Sequence, residues 1–131
     1  MASFSQKTIK MVWGRSAGRC AMAACRVQLF LDESETDDPA LLGEIAHIVG
    51  EKEDAARGKS PLTLKKRNLY GNLILLCGHH HDVIDQQPGD WPTERLHQIK
   101  NDHETWISKQ LSPADKETLR QQERYAQYLD E

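Results

Sequence analysis

Three cysteines and one histidine in this chain have the side-chain types and spacings that bind a soft metal ion. Cys20 and Cys25 enclose four residues, and Cys77 and His80 enclose two, so a Cys-x4-Cys pair and a Cys-x2-His pair lie far apart in sequence. Two such pairs make up the four-ligand set of a closed tetrahedral Zn2+ site. An odd number of cysteines also argues against a disulfide framework and suits a reducing compartment in which thiolates bind metal. Cys77 as a simple buried thiol is the plainer reading. One zinc site, however, accounts for all three cysteines.

His47, Asn72, His81 and Asp85 remain once those ligands are set aside. His81 and Asp85 are four apart, so on a helix they share a face and could hold one hard divalent cation, Mg2+ or Mn2+. His47 stands alone between Ile45 and Ile48, where the default is a half-buried structural histidine. With no second ligand beside it, any chemical role would be that of a general base, since neutral imidazole near its ordinary pKa can take a proton from water. The Asn72 amide could orient that imidazole. His97 and His103 have no ligand pair nearby and read as packing or surface residues.

These residues need elements to position them. Asn72 to Leu76 reads as a turn residue followed by a short buried strand, with the Cys77 to Asp85 stretch turning into a helix behind it. Upstream, Ser5 to Arg15 reads as a helix with Ser5 as N-cap, Phe4 as a hydrophobic staple, and Ile9, Val12 and Trp13 on one face. Residues 18–25 form a tight turn carrying the first cysteine pair. Val27 to Leu31 is a strand candidate, Asp32 to Pro39 a solvated acidic loop, and Glu44 to Val49 a return to apolar character around His47. Residues 50–67, rich in Gly, Lys and Arg, read as a long mobile loop, a frequent place for substrate contacts. Thr93 to Gln110 is an amphipathic helix with Leu96, Ile99, His103, Trp106 and Ile107 in its stripe. A last, strongly polar helix follows, with Ser112 as N-cap, Pro113 at its first position, and Leu119, Ala126 and Leu129 as its sparse apolar positions.

The ordered set Glu44-Ile45-Ala46-His47-Ile48, Asn72 to Cys77, and Gly78-His79-His80-His81-Asp82-Val83-Ile84-Asp85 resembles the HNH endonuclease family, in its branch with a zinc-binding cysteine frame. The likeness extends over roughly residues 10–107. It implies an α+β fold: a small ββα-metal (His-Me finger) core with a structural zinc site and flanking helices. The nuclease domain would then occupy residues 1–110, with its core at about 20–86, and residues 111–131 would form the C-terminal polar helix. The resemblance matches His47, Asn72 and His81 to the family's His, Asn and His. It implies that His47 activates water against a DNA phosphodiester while the cation stabilises the leaving 3′ oxygen, leaving a 5′ phosphate. Many members carry Asp, Glu or His immediately before the first His. This chain has Ala46, so its cation would depend on His81 and Asp85, with Glu44 or Asp82 as further candidates.

Composition sets the outer bounds. With 131 residues, 38% of them hydrophobic, the chain makes one domain with a small core that metal binding would help to stabilise. No stretch approaches the roughly 20 apolar residues of a membrane span, and the N-terminus lacks a signal-peptide core, so a soluble cytoplasmic protein is expected. The net charge of −3 does not favour nucleic acid, but its distribution is uneven. Residues 1–26 carry five bases and no acid, residues 32–44 six acids and no base, and residues 51–67 six bases against three acids. Two basic stretches therefore flank the site. The resemblance to the HNH family implies DNA cleavage in restriction or phage defence, with RNA left open as substrate and a homodimer or a targeting protein as candidate partner. The alternative is a non-catalytic zinc-stabilised module that binds nucleic acid or protein, which would need the cysteine set but not His47, Asn72, His81 and Asp85 together.

Overall fold

A computed structural model describes residues 4–111 and 116–130. Helix α1 (Gln6–Arg15) begins as its sequence requires, with the Ser5 hydroxyl accepting from the Thr8 amide at 3.1 Å. Phe4, just ahead of it, sets its ring 5.5 Å from the His47 imidazole. After the cysteine turn the chain forms a small ribbon, β1 (Phe30–Leu31) and β2 (Ala40–Leu41), paired antiparallel. The strand expected over residues 27–31 is thus shorter, its first part contributing only a bridge between Arg19 and Gln28.

The pair that organises the molecule is β3 (Glu44–His47) with β4 (Leu73–Leu76), antiparallel, with Glu44 opposite Leu76 and His47 opposite Leu73. All four β4 side chains are buried. That fits an unbroken Leu-Ile-Leu-Leu run without polar alternation, because α1 and the following helix α2 (Gly78–Gln86) both pack on it. The Ala21 amide adds a bond to the Leu75 carbonyl at 3.0 Å, so the cysteine turn is stitched to the same strand. Val12, Leu29, Ala46, Ile48, Ile84 and Leu96 complete the core around β4. The arrangement is mixed α/β: four helices and two small antiparallel sheets among the described residues.

Helix α3 (Thr93–Leu111) buries Leu96, His103 and Ile107, as its stripe requires, and also Lys100. His103 is a packing residue: Nε2 lies 3.1 Å from the Ser16 carbonyl, and its ring stacks on Trp106. Helix α4 (Lys116–Asp130) leaves Tyr125, Ala126, Tyr128 and Leu129 exposed. The start expected for it, residues 112–115, and the Leu119 side chain lie outside the described residues.

Residues 50–67 depart from the mobile loop that their composition predicts. Arg67, 1% exposed, donates from Nε to the Leu62 carbonyl, from Nη1 to those of Gly50 and Gly58, and from Nη2 to that of Ser60, at 2.9–3.1 Å. The segment wraps so closely that a Cβ on Gly58 would meet the Lys52 carbonyl oxygen at 2.2 Å. One guanidinium therefore satisfies four backbone acceptors that water would otherwise have to reach. Arg67→Ala is expected to lower stability by about 3 kcal/mol, because four desolvated carbonyls lose charged donors. Urea unfolding of zinc-loaded protein measures it, and a loss below about 1 kcal/mol would show that water replaces the guanidinium freely.

Candidate metal centre and active site

The Cys-x4-Cys pair and the Cys-x2-His pair converge. Cys77 ends β4 and caps α2, its sulfur accepting from the His80 amide at 3.4 Å, which turns the His80 ring toward the cysteines. The His80 Nδ1 atom lies 3.2 Å from Cys77 Sγ and 3.6 Å from Cys20 Sγ, and the donor atoms of Cys20, Cys25, Cys77 and His80 all fall within 4.8 Å of one another. Sulfurs on a tetrahedral Zn2+ at about 2.3 Å stand about 3.8 Å apart, so these donors fit one ion. Burial pushes the Cys20 thiol up to about 12, with the Cys77 and Cys25 sulfurs adding to the rise, while backbone amides of Cys77 and Met22 oppose it. A cation at the centre supplies the charge that turns such a thiol into a ligand. Burial also holds the His80 imidazole below its ordinary pKa, which keeps it neutral and able to coordinate. His79, exposed, only meets the His80 ring edge-on.

His81, the next residue along, faces away from the cysteines. Its Nδ1 pairs with Glu44 Oε2 at 2.6 Å and its Nε2 with Asp85 Oδ2 at 3.2 Å, so β3 and the next turn of α2 each supply a carboxylate. The Asp85 hydrogen bond raises the His81 pKa to about 9; burial opposes this and Glu44 adds to it. Burial acts to raise the Asp85 carboxyl, but bonds to His81 and Arg57 hold it below the ordinary range. Arg57 is 4% exposed in its side chain and reaches Asp85 Oδ1 at 2.9 Å. Its other donors go to the carbonyls of Ile48, Ile84, Trp91 and His47. Its backbone is left-handed at φ 58°, which costs about 1–2 kcal/mol in an L-residue, and these bonds fix it there.

His47 and the His81–Asp85 pair border one cavity of about 170 Å3, closed on its other side by Gly50, Glu51 and Ala56. The residue that holds the His47 ring is not Asn72. His47 Nε2 lies 2.7 Å from Asn68 Oδ1, an acceptor, so Nε2 is the nitrogen that donates to it. Asn72 is 3% exposed; it accepts from the Val49 amide and donates to the Val49 and Arg67 carbonyls at 2.8–2.9 Å. It fixes the chain where β3 ends and the turn before β4 begins, at one remove from the imidazole. Ala46 is fully buried in the core, and Asp82 lies with His79 on a different surface of α2.

His81 Nε2 and Asp85 Oδ2 stand 3.2 Å apart on one face of α2. Glu44 sits on the opposite ring nitrogen, and among the described residues only the cysteine set gathers three or more donors within 4.8 Å. No protein-family model matches the chain, and no curated protein matches it either.

The His81 bridge makes stability depend on pH. Its folded pKa is raised from 6.5 to about 9, so its stabilisation is full below pH 6.5 and is lost as pH rises through about 9. Imidazole NMR of zinc-loaded protein without Mg2+ should find His81 still protonated at pH 7.5, and Glu44→Gln should move its titration downward. Titration of wild-type His81 near 6.5 would mean that the carboxylates do not hold it.

Proposed function

We propose that this chain is a metal-dependent HNH endonuclease that hydrolyses DNA phosphodiesters. The observation that carries this reading is the single cavity bordered by a ring-fixed His47 and by the His81–Asp85 pair, on two antiparallel strands and the helix that follows them. In this ββα-metal reading the Cys20, Cys25, Cys77 and His80 set holds a structural Zn2+, and the His81–Asp85 pair holds Mg2+ or Mn2+ together with the scissile phosphate.

His47 acts as general base through Nδ1, taking a proton from water while Nε2–H stays on Asn68. The resulting imidazolium is tolerated because the ring is only half-buried and its outer proton is already paired. Phe4 packs beside the ring and restricts its rotation. Arg57 fixes Asp85 against His81, so the two donors are set before substrate arrives. The cation, when bound, supplies Lewis-acid stabilisation of charge on the phosphate and the leaving 3′ oxygen. His81 shares a proton with its carboxylates, so it would help to hold a cation only in its deprotonated form.

One such site cuts one strand at a time, so double-strand breaks call for a second copy or two successive nicks. We infer restriction or phage defence as the setting of this activity, with a targeting partner supplying sequence choice. A cytoplasmic setting suits reduced, metal-bound thiols. No helix among the described residues is long and apolar enough to cross a membrane. A non-catalytic zinc-stabilised module would use the cysteine set and leave the His47–Asn68 bond and the His81–Asp85 pair with a structural role alone.

With Mg2+ or Mn2+, wild-type protein is expected to nick or linearise supercoiled plasmid. His47→Ala of matched zinc content should be slower by about a hundredfold or more, and Asn68→Ala should fall between the two. Equal cutting by His47→Ala would remove His47 as base. Binding without cutting by folded, zinc-loaded wild type would favour the non-catalytic module.

A further inference from the structure

We propose that a second cleft, separate from the His47 cavity, is a binding site for a phosphate group. The C-terminal end of α1 and one face of α3 border a cavity of about 640 Å3 whose wall includes Arg15, Tyr70, Lys100, Glu104, Ser108 and Lys109. Lys100 is 7% exposed; its Nζ stands 3.8 Å from the centre of the Tyr70 ring and 3.3 Å from Glu104 Oε2. Arg15 approaches the same ring at 5.4 Å and brings Nε to 3.0 Å from Glu104 Oε1. That oxygen has no hydrogen-bonding partner, so Arg15 holds it by charge and not by an aligned N–H. Three cations thus border the cleft against one carboxylate.

A positive excess in a partly dry cleft is unfavourable until an anion enters. Burial, and then the Arg15 charge, lower Lys100 to about 8, and burial raises the Glu104 carboxyl. The Tyr70 ring forms the floor between the two cations, with Lys100 and Arg15 both lying over it. Cations gathered along one cleft are the chemistry that takes a phosphate oxygen.

The cleft also has room for what the phosphate is attached to. At Gly71 and His97 it meets a second cavity of about 320 Å3, bordered by Leu62 and Leu69 and mostly apolar. A phosphate against this cationic wall and an apolar or planar group beside Leu62 and Leu69 describe a nucleotide, either free or as the phosphorylated end of a strand. The proposal does not depend on cleavage at His47.

The test uses the full zinc-loaded chain, with calorimetry and thermal unfolding. The probes are the nucleoside 5′-monophosphates, the unphosphorylated nucleosides and a 5′-phosphorylated oligothymidylate. Gly71→Gln fills the junction, since a Cβ there meets nothing within 4 Å, and Lys109→Ala removes an exposed cation while leaving the Arg15–Glu104–Lys100 contacts in place. Saturable binding of a phosphorylated probe is expected. Removing the phosphate, or making either substitution, should weaken it by about tenfold or more, with the unliganded melting temperature unchanged. Binding of mononucleotides would identify a free nucleotide as the source, and binding of the oligonucleotide alone, lost in the same variants, a strand end. Saturable binding by neither probe, or binding unaltered in both variants, would overturn the proposal.

Discussion

Everything else in the molecule depends on the closure between the cysteine turn and the end of β4. Cys20 and His80 are 60 residues apart in sequence, yet their donor atoms stand 3.6 Å apart around one centre. Holding that contact orders a long loop, and a core this small offers limited apolar burial to offset the entropy. A soft cation on three thiolates and an imidazole provides free energy that hydrophobic contact alone lacks. It also sets direction. Cys77 is at once a ligand, the last residue before α2 and that helix's cap, so fixing its sulfur fixes the start of the helix. From that start, His80 faces the cysteines and His81 faces β3.

A second constraint works through two buried arginines. Arg67 gathers the carbonyls of residues 50–62, and Arg57 ties the end of β3, the end of α2 and the Asp85 carboxylate together. Each guanidinium spends most of its donors on backbone oxygens and so exchanges solvation for a complete set of hydrogen bonds. The consequence for the site is positional. The turn that buries Arg67 presents Asn68 to the His47 imidazole, and the loop that seats Arg57 closes the cavity below His47 and His81. Two imidazoles on neighbouring elements thereby acquire different partners: His47 bonds one amide oxygen, and His81 is held between two carboxylates.

Much of this was legible from the sequence because the signals were short-range. The spacings of Cys20 with Cys25 and of Cys77 with His80, the uninterrupted Leu73–Leu76 run and the Ser5 cap each depend on a few adjacent residues, and the structure joins them as expected. The His81–Asp85 pairing follows from helical spacing alone. What escaped were contacts whose partners are carbonyl groups or lie across the fold. Arg57, Arg67 and Lys100 look like solvated charge in a polar sequence, and no spacing rule marks an arginine that will be buried among backbone oxygens. Asn68 and Asn72 occupy one short stretch that spacing cannot separate, and the 3₁₀ turn over residues 70–72 decides which amide reaches the ring. Glu44 was named only as a candidate ligand, and its pairing with His81 depends on the register of β3 with β4.

Zinc-edge X-ray absorption on the purified, reduced chain tests the central closure most directly. Three sulfurs at about 2.3 Å and one nitrogen at about 2.0 Å are expected for one ion per chain, with the sulfur count falling to two in Cys25→Ser. A folded chain that binds no zinc, or zinc bound through oxygen and nitrogen alone, would contradict the cysteine closure and, with it, the placement of His81 opposite His47.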